Sequence, residues 1–233
     1  MSDRFLYLSI DLLAISIPLG FSFYPKAPFY KKWKFLLPSI IIPGLVFILW
    51  DIVFTDMGIW GFNPRYVSGI YLANLPIEEL LFFICIPYAC VFTYEALRFL
   101  LPRDFLGDHR NKITGTLIFI LFITGTLSLG KWYTSVTFLS TAVFLLFTIT
   151  TFNFFLGRFY FSFLVILVPF FIVNGVLTGS GIEDQVVWYN NEENLGIRIG
   201  TIPIEDIFYG MLLLLMNVYL FELFQKRYPS TSV

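Results

Sequence analysis

The chain has 233 residues, 58% of them hydrophobic and 20% aromatic, with 13% charged and a mean hydropathy of +0.79. A water-soluble domain cannot hide that much apolar surface, whereas a bilayer accepts it as lipid contact, so an integral membrane protein is the expected class. A net charge of −1 and the lack of a basic patch exclude nucleic acid as a partner.

A spanning helix needs about 20 mainly apolar residues. By that measure the sequence predicts an all-α protein with spans near 4–23, 35–54, 76–98, 113–130, 132–153, 159–177 and 203–224. The first stretch carries Asp11 and a single Arg4, and shows no small-residue cleavage pattern before Pro25, so it reads as a span rather than a leader. The fourth and fifth are separated only around Gly130-Lys131, which makes seven spans the expectation and six the alternative.

Basic residues set the expected orientation. The connections after spans 1, 3 and 5, together with the C-terminus, hold 11 of the 15 Lys and Arg residues; Arg4, Arg65, Lys131 and Arg198 fall on the other side. The positive-inside rule then predicts a multi-pass protein of the cell (cytoplasmic) membrane with its N-terminus outside and its C-terminus in the cytoplasm.

One short phrase is written twice. Pro76-Ile77-Glu78-Glu79 recurs as Pro203-Ile204-Glu205-Asp206, 127 residues later, each copy opening a long apolar run. Thr55-x-x-Gly58 matches Thr178-x-x-Gly181 at an offset of 123, and Glu95 and Glu222 each follow the motif's first Glu by 17 residues. Spans 1–3 therefore correspond to spans 5–7 in a parallel 3+1+3 repeat: 1–105 as the first three-helix unit, 106–131 as the connector and 132–233 as the second unit. A shift of four spans preserves direction, so the halves should be related by an axis along the membrane normal. Both acidic motifs then lie at one depth, near the outer leaflet, beside two long aromatic loops (55–75 and 178–202) of a length often found in functional lids.

Carboxyl groups at the head of a membrane helix are costly to bury. A proline suits the first turn of a helix, and acids just behind it meet the positive end of the helix dipole. Neighbouring helical residues point about 100° apart, so each pair can send one acid to the bundle centre. Two carboxyls meeting in a dry site cannot both stay ionised comfortably; one holds a proton as an acid while another stays charged as a base, which suits a proton-in, proton-out reaction without redox chemistry. Glu78, Glu79, Glu205 and Asp206 are the candidate catalytic residues, and either member of each pair can serve as donor or acceptor. Asp51, near the outer end of span 2, is a supporting acid. Trp50, Trp60, Phe82, Phe83, Phe208 and Tyr209 are candidates for binding substrate or a cation, because ring faces stabilise positive charge, including a carbocation formed by protonating an alkene. Arg65 and Arg198 could balance the acids.

The remaining polar residues read as structural. Cys85 and Cys90 sit in one apolar run with no second cysteine cluster, so no metal is expected. His109, the sole histidine, falls in the connection after span 3. Glu95 and Glu222 lie about 25 Å from the motif acids at 1.5 Å per residue, beside Arg98 and Lys226. Asp11 has no evident counterpart in the second half. There is no Gly-rich phosphate loop or dinucleotide fingerprint.

The doubled Pro-x-Glu-acidic motif, the Trp50-Asp51 pair in span 2 and the three-span repeat resemble the integral-membrane lycopene cyclases, in the form that fuses the two subunits of the heterodimeric enzymes. The resemblance implies a lycopene β-cyclase, an isomerase of the intramolecular lyase type in carotenoid biosynthesis. A carboxylic acid protonates the terminal double bond of a ψ-end of lycopene, the neighbouring alkene closes a six-membered ring, and a carboxylate removes a ring proton. Glu78, Glu79, Glu205 and Asp206 are the matching positions; the product would be β-carotene or γ-carotene. No cofactor is implied, since the flavin-dependent cyclases have a dinucleotide-binding fold that this chain does not resemble. The partners implied are lycopene drawn from the bilayer and membrane lipid, and a homo-oligomer is compatible. The sequence differs between its halves at Asp51, whose repeat partner near Asn174-Gly175 is not acidic, so the halves should play unequal roles. Rival readings are a non-enzymatic seven-helix carotenoid-binding protein and a small-molecule or proton transporter. A retinal protein is disfavoured, because residues 203–224 contain no lysine.

Overall fold

The computed structural model describes residues 3–228. Among them, seven long helices follow one another: α1 (Leu6–Phe21), α2 (Trp33–Asp56), α3 (Ile77–Leu100), α4 (Arg110–Leu127), α5 (Trp132–Thr151), α6 (Leu156–Leu177) and α7 (Ile204–Arg227). Six of the seven, all but α4, are long and apolar enough to cross a membrane. The reason α4 falls short is its first turn: Arg110, Asn111 and Lys112 take up part of its 18 residues. Apolar side chains such as Leu13, Ile17, Leu49, Phe119 and Val143 point outward, which suits a lipid-facing surface. The fold is an all-α, multi-pass membrane bundle.

Three two-stranded antiparallel ribbons cap one end of the bundle. They are β1 (Trp60–Phe62) with β4 (Val187–Tyr189), β2 (Tyr71–Leu72) with β3 (Leu75–Pro76), and β5 (Arg198–Ile199) with β6 (Ile202–Pro203). The two long aromatic loops of the sequence are thus folded and tied to each other rather than trailing. Strand β1 comes from the first loop and β4 from the second, with Trp60 opposite Tyr189 and Phe62 opposite Val187.

Backbone bonds recur at the repeat offset. Asn63 N–H donates to the Val186 carbonyl at 2.8 Å, and Asn190 N–H donates to the Ile59 carbonyl at 2.8 Å. Ile77 N–H reaches the Ile70 carbonyl at 2.9 Å as Ile204 N–H reaches that of Ile197 at 3.0 Å. Each pair is displaced by 127 residues. Helix packing repeats in the same sense: α1 packs on α3 as α5 packs on α7, and α2 lies against α7 as α6 lies against α3. Helices α3 and α7 therefore run side by side through the middle.

At the end opposite the ribbons, Glu95 and Glu222 are both buried and share a guanidinium. Arg98 donates to Glu95 at 3.3 Å and to Glu222 at 2.9 Å; the Tyr94 hydroxyl donates to Glu222 at 2.7 Å, and Lys32 donates to Glu95. Arg98 is the partner their sequence positions suggest, but the second cation is Lys32 and not Lys226, which lies over the Phe152 ring; the cluster joins the two halves. His109 lies in a short 3-10 turn just before α4 at this same end. Cys85 and Cys90 are buried free thiols.

Gly157, in the first turn of α6, stands so close to the backbone of Gly107 that an added Cβ would overlap it. Alanine is the better helix former by about 1 kcal/mol, but backbone cannot swing aside as a side chain can, and overpacking costs roughly 1–3 kcal/mol. Gly157→Ala is expected to lower the thermal midpoint of the detergent-extracted protein; a raised midpoint would show that the turn can move away.

Candidate active site

Pro76 and Pro203 end strands β3 and β6 and stand just before α3 and α7, one position earlier than the first-turn role the sequence suggests. A proline there closes the ribbon and needs no N–H to do so. Helix begins at the next residue, so the two acids of each motif occupy the second and third helical positions. That consecutive placement turns their side chains in different directions.

The first acid of each pair turns up toward the loops. Glu78 accepts the Ser68 N–H on Oε1 at 2.7 Å; Glu205 accepts the Leu195 N–H on Oε1 at 2.8 Å and the Thr134 hydroxyl at 2.6 Å. Both backbone donors lie ten residues before the acid. Glu78 and Glu205 are fully buried, and neither lines the cavity described next.

The second acid of each pair faces inward. Glu79, Asp206 and Asp51 line one cavity between the halves. Glu79 accepts the Tyr7 hydroxyl on Oε2 at 2.6 Å, and its carboxyl lies within hydrogen-bonding reach of that of Asp51. Asp51 in turn accepts the Tyr209 hydroxyl at 2.5 Å. Asp206 accepts two tyrosines, Tyr133 on Oδ1 and Tyr189 on Oδ2, the latter at 3.0 Å. Three carboxyls thus meet four phenols in a space beneath the ribbons. Two carboxyls in mutual contact can bond only if a proton lies between them, since carboxylates carry acceptors alone. Burial, and then the Asp206 carboxyl, pushes the Tyr189 hydroxyl well above the usual tyrosine range, which keeps it a donor.

Aromatic rings wall the acids. Trp60, on β1, has its ring centroid 5.0 Å from that of Tyr133, 6.0 Å from Tyr209 and 6.3 Å from Tyr189. Tyr133 and Tyr189 are stacked at 5.7 Å. Phe82, one turn below Glu79, also lines the space. The close β1–β4 approach depends on Gly61, because a Cβ there would strike the Trp188 indole.

Of the residues singled out in the sequence, the structure brings together Glu79, Asp206, Asp51, Trp60, Phe82 and Tyr209. It sets others aside. Phe83 packs with Phe47, Leu212 and Leu213, and Trp50 leans on the same group with its ring 5.3 Å from that of Tyr209. Phe208 packs edge-on against Phe138 at 5.0 Å. Arg65 is exposed and pairs with Asp3 at 2.9 Å and Glu183 at 2.8 Å, while Arg198 donates to the Thr201 carbonyl at 2.6 Å and to Asn191 at 2.8 Å. Neither arginine bonds a motif acid. Among the described residues, no group of three His, Cys, Asp or Glu converges as a metal site.

Sequence reasoning missed Tyr7 and Tyr133 and gave Tyr189 no role. A signal was there: Tyr7 and Tyr133 stand 126 residues apart, and each donates to the second acid of its own half. Asp11 is buried in α1 with no partner for either carboxyl oxygen; Thr137, 126 residues on, is likewise buried with an unpartnered hydroxyl. Asp51 and Asn174, 123 residues apart, both line the cavity, so one half contributes an acid where the other contributes an amide.

Fold and site together define a multi-pass membrane protein whose two halves enclose an apolar chamber lined by carboxyl and phenol groups. The family follows from comparison of the sequence: a family model described as "Lycopene cyclase" matches residues 4–97 and 130–224, the two repeats in turn. The chain belongs to the lycopene cyclase family. No curated protein and no solved structure gives a match.

The surface pairs of Arg65 hold charges that water already screens, and such pairs contribute little. Arg65→Gln is therefore expected to leave pigment conversion within about twofold of the unaltered protein, where exposed pairs are worth least. A larger fall would tie Arg65 to the chamber.

Proposed function

We propose that this protein cyclises the ψ-end groups of lycopene to β-rings by acid–base chemistry with no net redox change. The observation that carries the reading is the convergence of Glu79, Asp51 and Asp206 on one aromatic-walled cavity. In this reading the Glu79–Asp51 pair holds the proton that is delivered to the terminal double bond of the ψ-end. Electrons of the neighbouring double bond then form the ring-closing carbon–carbon bond, and the positive charge moves to a ring carbon. Asp206 accepts the adjacent ring proton, whose bonding pair becomes the ring double bond. One proton enters and one leaves, so the product is an isomer of the substrate, and no electron acceptor is required.

Several features support this division. Asp206 receives a phenol on each oxygen, a setting that suits a carboxylate. The Trp60, Tyr133, Tyr189 and Tyr209 rings present π-faces and edges where a cation would form, and an aromatic wall attracts positive charge. Exclusion of water matters as much, because a carbocation left with water would be captured as an alcohol. Glu78 and Glu205 act in this reading by fastening the loops that roof the chamber. The distribution of Lys and Arg supports a chamber near the outer face of the cell membrane, with the N-terminus outside.

Expression in lycopene-accumulating bacteria, with pigment chromatography, tests the reading: β-ring products should appear, and unchanged lycopene beside abundant protein would refute it. Proton transfer by a positioned group contributes about 10²–10⁴-fold, so Glu79→Gln and Asp206→Asn should each lower conversion by about that factor. Glu78→Gln and Glu205→Gln keep an oxygen for the backbone N–H, a change of roughly 1 kcal/mol, so they should retain about a tenth or more of the activity. The opposite ranking would exchange the roles of the two acids in each motif.

A further inference from the structure

We propose that the groove between α3 and α6, continuous with the acid chamber, holds the linear polyene chain of the substrate, and that Ala89, Thr93 and Gly210 set the chain length it accepts. The proposal rests on the cyclase reading above. The chamber wall does not end at the acids. On α3 it continues through Phe82, Ile86, Ala89 and Thr93, at steps of three and four residues that keep to one helical face. From Glu79 to Thr93 is 14 residues, about 21 Å along the helix. Helix α6 runs the other way and faces this strip with Phe163, Ile166 and Phe170. Below the acids these walls carry no charged side chain, which is what a hydrocarbon chain requires.

Comparison of the two halves gives the proposal its force. The repeat builds a second, equivalent groove between α7 and α2, and that one is filled. At the offset of 127, Ala89 corresponds to Met216, Thr93 to Leu220 and Gly210 to Phe83. Phe83 is 1% exposed and packs with Phe47, Leu212 and Leu213, with Met216 against the same cluster. On the open side the matching positions are small. A Cβ at Gly210 would already stand 3.4 Å from the Phe170 ring, so a side chain there would shut the groove much as Phe83 shuts the other. Three large-for-small differences at matched positions thus leave one arm open. Pro169, which lines it, is exposed, and Ala89, Thr93 and Phe170 are half-buried, so the arm opens sideways onto the zone where lipid would lie.

The test is a length-dependent block. Ala89→Trp and Thr93→Trp fill the arm about 15 and about 21 Å from Glu79, whereas Ile84→Trp adds the same bulk on the exposed face of α3 as a control. Each protein is given lycopene and a half-length acyclic apocarotenoid that carries the same ψ-end. Thr93→Trp should lose cyclisation of lycopene by at least about tenfold while still cyclising the short compound, and Ala89→Trp should lose more of both; Ile84→Trp should behave as the unaltered protein. Unaltered activity on lycopene in both arm variants would overturn the proposal. Equal loss of both substrates in Thr93→Trp would overturn it too, since a plug beyond the short chain's reach cannot select by length. An unaltered protein that cyclises neither compound would instead overturn the cyclase reading itself.

Discussion

A carboxyl group buried among apolar helices costs several kcal/mol unless donors reach it, and much of this protein is arranged to supply them. The two Pro-Ile-Glu-acidic turns put four carboxyls in the first turns of α3 and α7. Backbone N–H groups of the loops reach one oxygen of the first acid of each pair, leaving Glu78 Oε2 and Glu205 Oε2 buried without a partner, and phenols reach the second acid. That single demand explains several features at once. The loops must fold back over the helix starts to present Ser68 and Leu195. The ribbons follow from that path, and the β1–β4 pairing that seals the two halves follows from the ribbons. Tyr7 and Tyr133 are needed at the heads of α1 and α5, which explains why those helices pack against α3 and α7.

Much of this was legible in the residues. The doubled motif and the matching Thr-x-x-Gly and Glu95/Glu222 positions give the repeat, and the apolar runs give the helices to within a few residues. The adjacency of Glu78 to Glu79 did not say which of them faces inward, because a 100° rotation separates them and either could have been turned to the centre. That was decided by loop backbone ten residues upstream, a contact without a sequence signature. The phenols were hidden for a different reason: with 13 Tyr and 29 Phe in the chain, composition does not single out Tyr7 or Tyr189. Cross-loop pairing between Trp60 and Tyr189 joins residues 129 apart and has no local pattern at all. Helix α4 sits between the repeats and lacks a counterpart, so only its own marginal hydropathy could describe it, and Arg110 and Lys112 at its start weaken that signal.

Duplication also explains why the site is unequal. Two identical halves would present identical acids to the cavity between them. Divergence at matched positions breaks that tie. Phe82 answers to Tyr209, Phe62 to Tyr189, and Asp51 to Asn174 at the shorter offset of 123, so one half carries the carboxyl pair and the other carries the extra phenols. In the proposed reaction a carboxyl pair that shares a proton and a carboxylate held between two phenols would be complementary, one able to give a proton and the other to take it. Neither set would suffice twice over. The substitutions that fill the α7–α2 groove with Phe83 and Met216 act in the same direction, since on the proposed reading they would leave a hydrocarbon one path to the acids. A reaction that must give and remove a proton at different atoms of one end group needs an asymmetric site, and a symmetric fold reaches one by unequal change at equivalent positions.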